Sequence, residues 1–223
     1  MKMIEHAPCI VQYDNVFDPG NFIHLLEEEC SQAWGYLHWE RSTVGSGVVA
    51  PIRTSMSCEL GPIGSEDISV ERVLPLAQEW VRIWQSIDPY VWDYRNTFEI
   101  DLEADEGYRV LKYGGGSSYH AHHDHWRDNS RTLSLVAFLN DGYSGGNLTF
   151  PKFDISITPK TGSVILFPSN FPYTHIAEPV GSNDETIKYS FSSIAWPYCS
   201  FCTSQRCQCR KINYDLHYPS QSG

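Results

Sequence analysis

From about Tyr108 onward the chain breaks into short apolar runs separated by glycine and proline: "YRVLKY", "TLSLVAFL", "NLTF", "DISIT", "SVILF" and "YSFSSIAW". Ile155 and Ile157 alternate with polar neighbours, while "DGYSGG" and "TPKTG" supply turns, so this half predicts a series of strands. Upstream the period changes. "DPGNFIHLLEEECSQAW" sets Phe22, Leu25, Leu26 and Cys30 on one helical stripe, with Asp18 as the expected cap and Pro19 in the first turn. A second helix is expected in "ISVERVLPLAQEWVRIWQSI", where Val73, Leu76, Ala77, Trp80 and Trp84 recur at helical spacing and Pro75 marks the start or a kink. Regularly spaced short strands after helices predict a mainly β chain with flanking helices: a jelly roll, or double-stranded β-helix, supported by N-terminal helices.

Length and charge narrow the function. The 223 residues suit one domain spanning 1–223, with no visible repeat or linker. No stretch reaches the roughly 18 apolar residues of a membrane span, and "MKMIEHAPCIVQYDN" lacks a basic region followed by an apolar one. The expectation is a soluble, cytoplasmic protein without a membrane partner. A formal net charge of −11 argues against nucleic acid, which needs clustered Lys and Arg.

The chemistry concentrates in "YGGGSSYHAHHDHW". If Tyr119 to Trp126 runs as a strand, His120, His122 and Asp124 share one face and His123 and His125 the other. His-x-Asp offers one imidazole nitrogen and one carboxylate oxygen, and an iron site with open positions needs one more imidazole from elsewhere. Of the remaining histidines, His6, His24, His38, His175 and His217, only His175 follows a barrel-like strand. The expected metal ligands are therefore His122, Asp124 and His175. A single histidine here is more often packing or surface; the joint pattern decides against that.

These residues resemble the iron(II) and 2-oxoglutarate dependent dioxygenases, in particular the prolyl 4-hydroxylase-like branch. The resemblance rests on Tyr113, Gly116, Tyr119, His122 and Asp124, on "FLNDGYSGGNLTFP", on "ITPKTGSVILFP" and on "THIAEPV", and it covers roughly Tyr108 to Trp196. It implies a dioxygenase core over 106–198. It also implies that Lys188, beside the hydroxyl of Ser190, pairs with the far carboxylate of 2-oxoglutarate, and that Tyr113 donates its phenol to the same group. The chain departs from the family in having Asn147 and Leu148 after the double glycine, where glutamate and threonine are usual, and a longer interval from His175 to Lys188.

The cofactors implied are Fe(2+), 2-oxoglutarate and O2, with ascorbate as an accessory reductant. Because Asp124 is present where halogenating members lack the carboxylate, the implied reaction is hydroxylation, with prolyl residues of a peptide or protein as the leading substrate. The alternatives are a free amino acid or other small molecule, a cupin-like binding module without turnover, and nucleic-acid demethylation, which the net acidity disfavours. Arg131 and Trp196 are candidate substrate contacts, as are Trp126, Tyr143 and Tyr173. With aromatics at 13% of the chain, most of these rings must simply fill space. Finally, Cys199, Cys202, Cys207 and Cys209, in segment 199–209, have spacing that fits one structural Zn(2+) about as well as reduced thiols. Cys9, Cys30 and Cys58 read as small buried hydrophobes.

Overall fold

The computed structural model describes residues 2–33, 35–44, 49–60, 70–102, 104–125, 131–181 and 187–196; Trp126 and the four C-terminal cysteines lie outside them. Each expected run forms a strand: β5 (Ala104–Tyr113), β7 (Leu133–Phe138), β8 (Leu148–Phe150), β9 (Ile155–Ile157), β10 (Val164–Pro168) and β12 (Lys188–Trp196). The histidine segments contribute β6 (Tyr119–His122) and β11 (His175–Ala177). Four further strands precede these: β1 (Met3–Ala7), β2 (Ile10–Tyr13), β3 (Glu40–Arg41) and β4 (Met56–Leu60).

They assemble into an eight-stranded antiparallel sheet, ordered β1-β2-β10-β7-β12-β5-β4-β3, and a four-stranded sheet, ordered β6-β11-β8-β9. The two form the expected jelly roll, with the helices on the outer face of the larger sheet. Strand alternation shows why the runs are apolar throughout. On β10, Val164 and Leu166 join the core beneath the helices, while Ile165 and Phe167 join the core between the sheets. Both faces are covered, so no position is left for a polar residue. On β12, Tyr189 and Phe191 pack under the helices, which turns Lys188 and Ser190 towards the space between the sheets.

Helix α1 (Phe22–Ser31) buries Phe22 and Leu26 with Leu25 and Cys30 packed beside them, as its stripe predicts. Its cap differs from expectation. Asn21 occupies the N-cap without a side-chain bond, and the Asp18 carboxylate instead accepts the Gly20 N–H at 3.0 Å. The two-residue reach of Asp18 closes the turn around Pro19 and never arrives at the helix.

Helix α2 (Val70–Thr97) neither starts at Pro75 nor stops near Ile87; Pro75 and Pro89 both lie inside it. Each internal proline costs roughly 3 kcal/mol. Leu76, Trp80, Ile83, Ile87 and Tyr94 are nonetheless buried along one face, each contributing about 1.5–3 kcal/mol. Tertiary burial therefore outweighs the local penalty. No helix among the described residues is long and apolar enough to cross a membrane.

One turn shows how tightly the N-terminal segment seats on the large sheet. Gly162 sits at φ +72°, donates to the Phe138 carbonyl at 2.9 Å and accepts the Val16 N–H at 2.8 Å. A Cβ placed there would lie 2.1 Å from the Phe17 carbonyl oxygen. Gly162→Ala is expected to cost at least about 2 kcal/mol, from the left-handed backbone and the clash together. Thermal denaturation should show a fall of roughly 4–8 °C; an unchanged melting temperature would contradict this seating.

Candidate metal centre

The small sheet brings the two histidines together. β6 and β11 pair antiparallel with His122 directly opposite His175, and cross-strand partners project side by side from one face. Their rings lie 4.2 Å apart between centroids. β6 ends at His122, not at Trp126 as the alternation argument required, so Asp124 stands in the turn beyond. His120, expected on the same face, is exposed and outside the group. Two bonds hold the turn: the His125 N–H donates to the Ser169 carbonyl at 2.8 Å, and the Arg131 guanidinium donates to the Asp124 carbonyl at 3.0 Å.

One ligand atom each from His122, Asp124 and His175 lie within 4.8 Å of one another. The imidazole Nε2 atoms stand 3.6 Å and 3.8 Å from the two Asp124 oxygens. Ligand atoms about 2.1 Å from one ion at right angles are roughly 3 Å apart, so closing the set on a cation takes less than about 1 Å of approach for each histidine–aspartate pair and about 2 Å across the full 4.8 Å spread. The tautomers suit that role. Nδ1 of His122 lies 2.8 Å from the His120 carbonyl, and Nδ1 of His175 3.1 Å from the Tyr173 carbonyl. A carbonyl only accepts, so each Nδ1 carries the proton and each Nε2 keeps its lone pair for a metal. Burial, reinforced by the facing His175, holds the His122 pKa well below the ordinary imidazole range and keeps that ring neutral. Burial pushes the Asp124 carboxyl up, but His175, His122 and the Ser134 hydroxyl outweigh it and keep the group ionised.

Ser134 donates to Asp124 Oδ2 at 2.6 Å and lies 2.7 Å from Ser169 Oγ. That bond engages one carboxylate oxygen and leaves the other as the simpler metal ligand. Ser134→Ala is expected to weaken divalent metal binding by about tenfold, measured by competitive chelator titration, with Ser134→Thr restoring it. Equal affinities in all three forms would remove Ser134 from the site.

Deeper between the sheets, Lys188 is 2% exposed and pairs in register with Tyr113 across β12 and β5. Its ammonium donates to the Gly146 carbonyl at 2.7 Å and sits 4.9 Å from the Tyr113 ring centroid and 5.4 Å from that of Phe138. Among the described residues this carbonyl is its one hydrogen-bond acceptor, so two of its three N–H donors remain. Burial brings its pKa down to about 7. Ser190, also buried, lies two positions along the same face.

Other candidates fall elsewhere. Trp196 closes β12 at the opposite end, paired with Ala104, roughly 25 Å along the strand from Lys188. Arg131 contacts the Asp124 backbone. Tyr143 packs beside Tyr113, and Tyr173 stacks on Phe153 with centroids 5.3 Å apart.

One buried group carries no sequence signal. Arg53 is 8% exposed, its guanidinium lies 4.5 Å over the Tyr119 ring, and Tyr119 in turn stacks on His122 at 3.5 Å. Its partners, Tyr119 and the Thr43 carbonyl, come together only through the fold.

The jelly roll thus brings two histidines, an aspartate and a buried lysine into one inter-sheet space, and its similarity to known proteins lies with 2-oxoglutarate and iron dependent oxygenases. Residues 108–196 match the family model described as the 2OG-Fe(II) oxygenase superfamily, and the resemblance read from the histidine and double-glycine segments holds. A protein of Acanthamoeba polyphaga mimivirus, named provisionally as a prolyl 4-hydroxylase, is 29% identical over 110 residues, which cover 40% of this chain and 46% of the viral protein. The match thus spans about half the length of that relative. Among solved structures, a prolyl hydroxylase from Trichoplax adhaerens in complex with a hypoxia inducible factor peptide superposes with TM-score 0.68 at 15% identity, covering 85% of this chain and 84% of its own. The viral collagen prolyl hydroxylase of Paramecium bursaria Chlorella virus-1 gives 0.58 at 18% identity, covering 86% and 97%.

Proposed function

We propose that the chain hydroxylates a C–H bond of a prolyl residue in a peptide or protein, using Fe(2+), 2-oxoglutarate and O2. The observation carrying this reading is the convergence of the His122, Asp124 and His175 ligand atoms within 4.8 Å, in the inter-sheet space that also holds the buried Lys188. Iron with 2-oxoglutarate and O2 supplies the oxidation, giving succinate, carbon dioxide and a hydroxylated product, with one oxygen atom entering succinate and the other the substrate. His122, Asp124 and His175 would hold the ion through three ligands and would leave its other positions open to exchangeable groups. Lys188 offers the charge-assisted partner that a buried dicarboxylate requires. Phe150 and Phe167, whose ring centroids lie 5.8 Å and 4.8 Å from that of His175, keep water from that side.

The peptide part of the proposal draws on the relatives: one is named for prolyl 4-hydroxylation, and one was solved with a peptide bound. Incubating the protein with ferrous salt, 2-oxoglutarate, air and a panel of proline-containing peptides should give products heavier by one oxygen, located on proline by fragmentation. Succinate formation that no peptide stimulates, with no oxygen incorporated, would overturn the peptide assignment and leave the oxygenase chemistry standing.

A further inference from the structure

Resting on the reading of Lys188 as the 2-oxoglutarate partner, we propose that Asn140 is its positioning residue: the Asn140 amide clamps the backbone on both sides of Lys188 and thereby aims the ammonium. β12 begins at Lys188, but its pairing with β7 begins only at Ser190, opposite Phe138. On the other side, Lys188 opposite Tyr113 is the end pair of the β12–β5 ladder. The lysine therefore stands where the sheet frays on one side.

Asn140 extends the missing ladder with its side chain. Its Nδ2 donates to the Ile187 carbonyl at 2.6 Å, and its Oδ1 accepts the Tyr189 N–H at 2.7 Å. Next to it, the Leu139 N–H donates to the Tyr189 carbonyl at 3.0 Å. A carboxamide presents one donor and one acceptor in a plane, as a peptide unit does, and can replace both bonds of a strand neighbour. The same turn then returns to hold the other end of the lysine. Gly146, at φ +68°, offers its carbonyl to the ammonium, and a Cβ there would lie 3.3 Å from Lys188 Cδ and 2.9 Å from the Tyr143 ring. Residues 140–146 thus grip Lys188 at the backbone and at the head. A side chain that merely closed a turn would have no reason to bond on both sides of this one residue.

Two ligands separate positioning from general structure: 2-oxoglutarate, and 2-oxobutyrate, which keeps the metal-binding 2-oxo acid and lacks the far carboxylate. Calorimetric titration of the Fe(2+)-loaded chain without oxygen is expected to show Asn140→Ala losing about tenfold or more in affinity for 2-oxoglutarate, with 2-oxobutyrate affinity changing less than about twofold. In turnover, KM for 2-oxoglutarate should rise while kcat at saturation stays within about threefold. If Asn140→Ala does not fold, Asn140→Asp, which keeps the acceptor and loses the donor to Ile187, decides with the same ligands. Equal loss for both ligands, or no loss for either, overturns the inference while the Lys188 reading stands. A wild-type chain that binds the two ligands equally overturns both.

Discussion

Replacing His175 by alanine is expected to reduce iron affinity by at least about a hundredfold and to abolish succinate formation, with the same result for His122→Ala and Asp124→Ala. The three ligand atoms come from the end of β6, the turn beyond it and the start of β11, and the remaining pair in each variant leaves the ion half released. The expectation is sharpest for Asp124. Its carboxylate is the sole anion of the set, and without it two imidazoles face each other with nothing to offset the charge of the cation. Metal content after dialysis, chelator titration and 2-oxoglutarate turnover measure the loss, and thermal melting of the metal-free forms separates it from misfolding. A His175→Ala protein that folds and still binds iron as the parent does would break the ligand set.

Lys188→Met should have the second-largest effect, and in two opposite directions. The change keeps the length of the side chain and removes the ammonium, so 2-oxoglutarate affinity is expected to fall by a hundredfold or more, in line with about 3 kcal/mol or greater for a buried charge partner. The metal-free, ligand-free chain should become more stable, because burial alone depresses the lysine pKa from 10.5 to about 7. Between those values the unfolded chain binds a proton that the folded chain does not. This group's penalty is therefore full below about pH 7 and relieved as the pH rises towards 10.5. Binding a dicarboxylate reverses the shift by favouring the charged form. In the wild type, 2-oxoglutarate affinity should decline as pH rises above about 7, by up to tenfold per unit, with proton uptake visible in the calorimetric signal. Lys188→Met should show neither the decline nor the uptake. A wild-type affinity flat across about pH 7 to 9 would contradict the assignment.

Local pattern in the chain reveals the parts whose reasons are local. The apolar run "SVILF" reads as a strand because β10 is covered on both faces, and His-x-Asp with a later histidine and lysine reads as a site because spacing along strands carries over into space. What stays hidden depends on partners distant in the chain. β2, "IVQY", is buried at all four positions, Gln12 included, but pairs with β10, some 150 residues on, and only that pairing places it inside the sheet. Pro75 and Pro89 look like helix boundaries until the burial of Ile83, Ile87 and Tyr94 is known. Asp124 required a turn that strand alternation does not contain, and it is Ser169 and Arg131 that hold this turn in place. Arg53 is a single polar residue without a motif of its own, and Asn140, though it stands in "FLNDGYSGGNLTFP", shows its contacts to both flanks of Lys188 only in the fold.

Crystals of the protein grown without oxygen in the presence of Fe(2+) and 2-oxoglutarate, with diffraction recorded at the iron absorption edge, put the account to its most direct trial. The predicted result is one anomalous peak per chain, bonded to Nε2 of His122, an Asp124 oxygen and Nε2 of His175, with the dicarboxylate running from the ion to the Lys188 ammonium. An iron peak away from those three residues, or a dicarboxylate that does not reach Lys188, would contradict it.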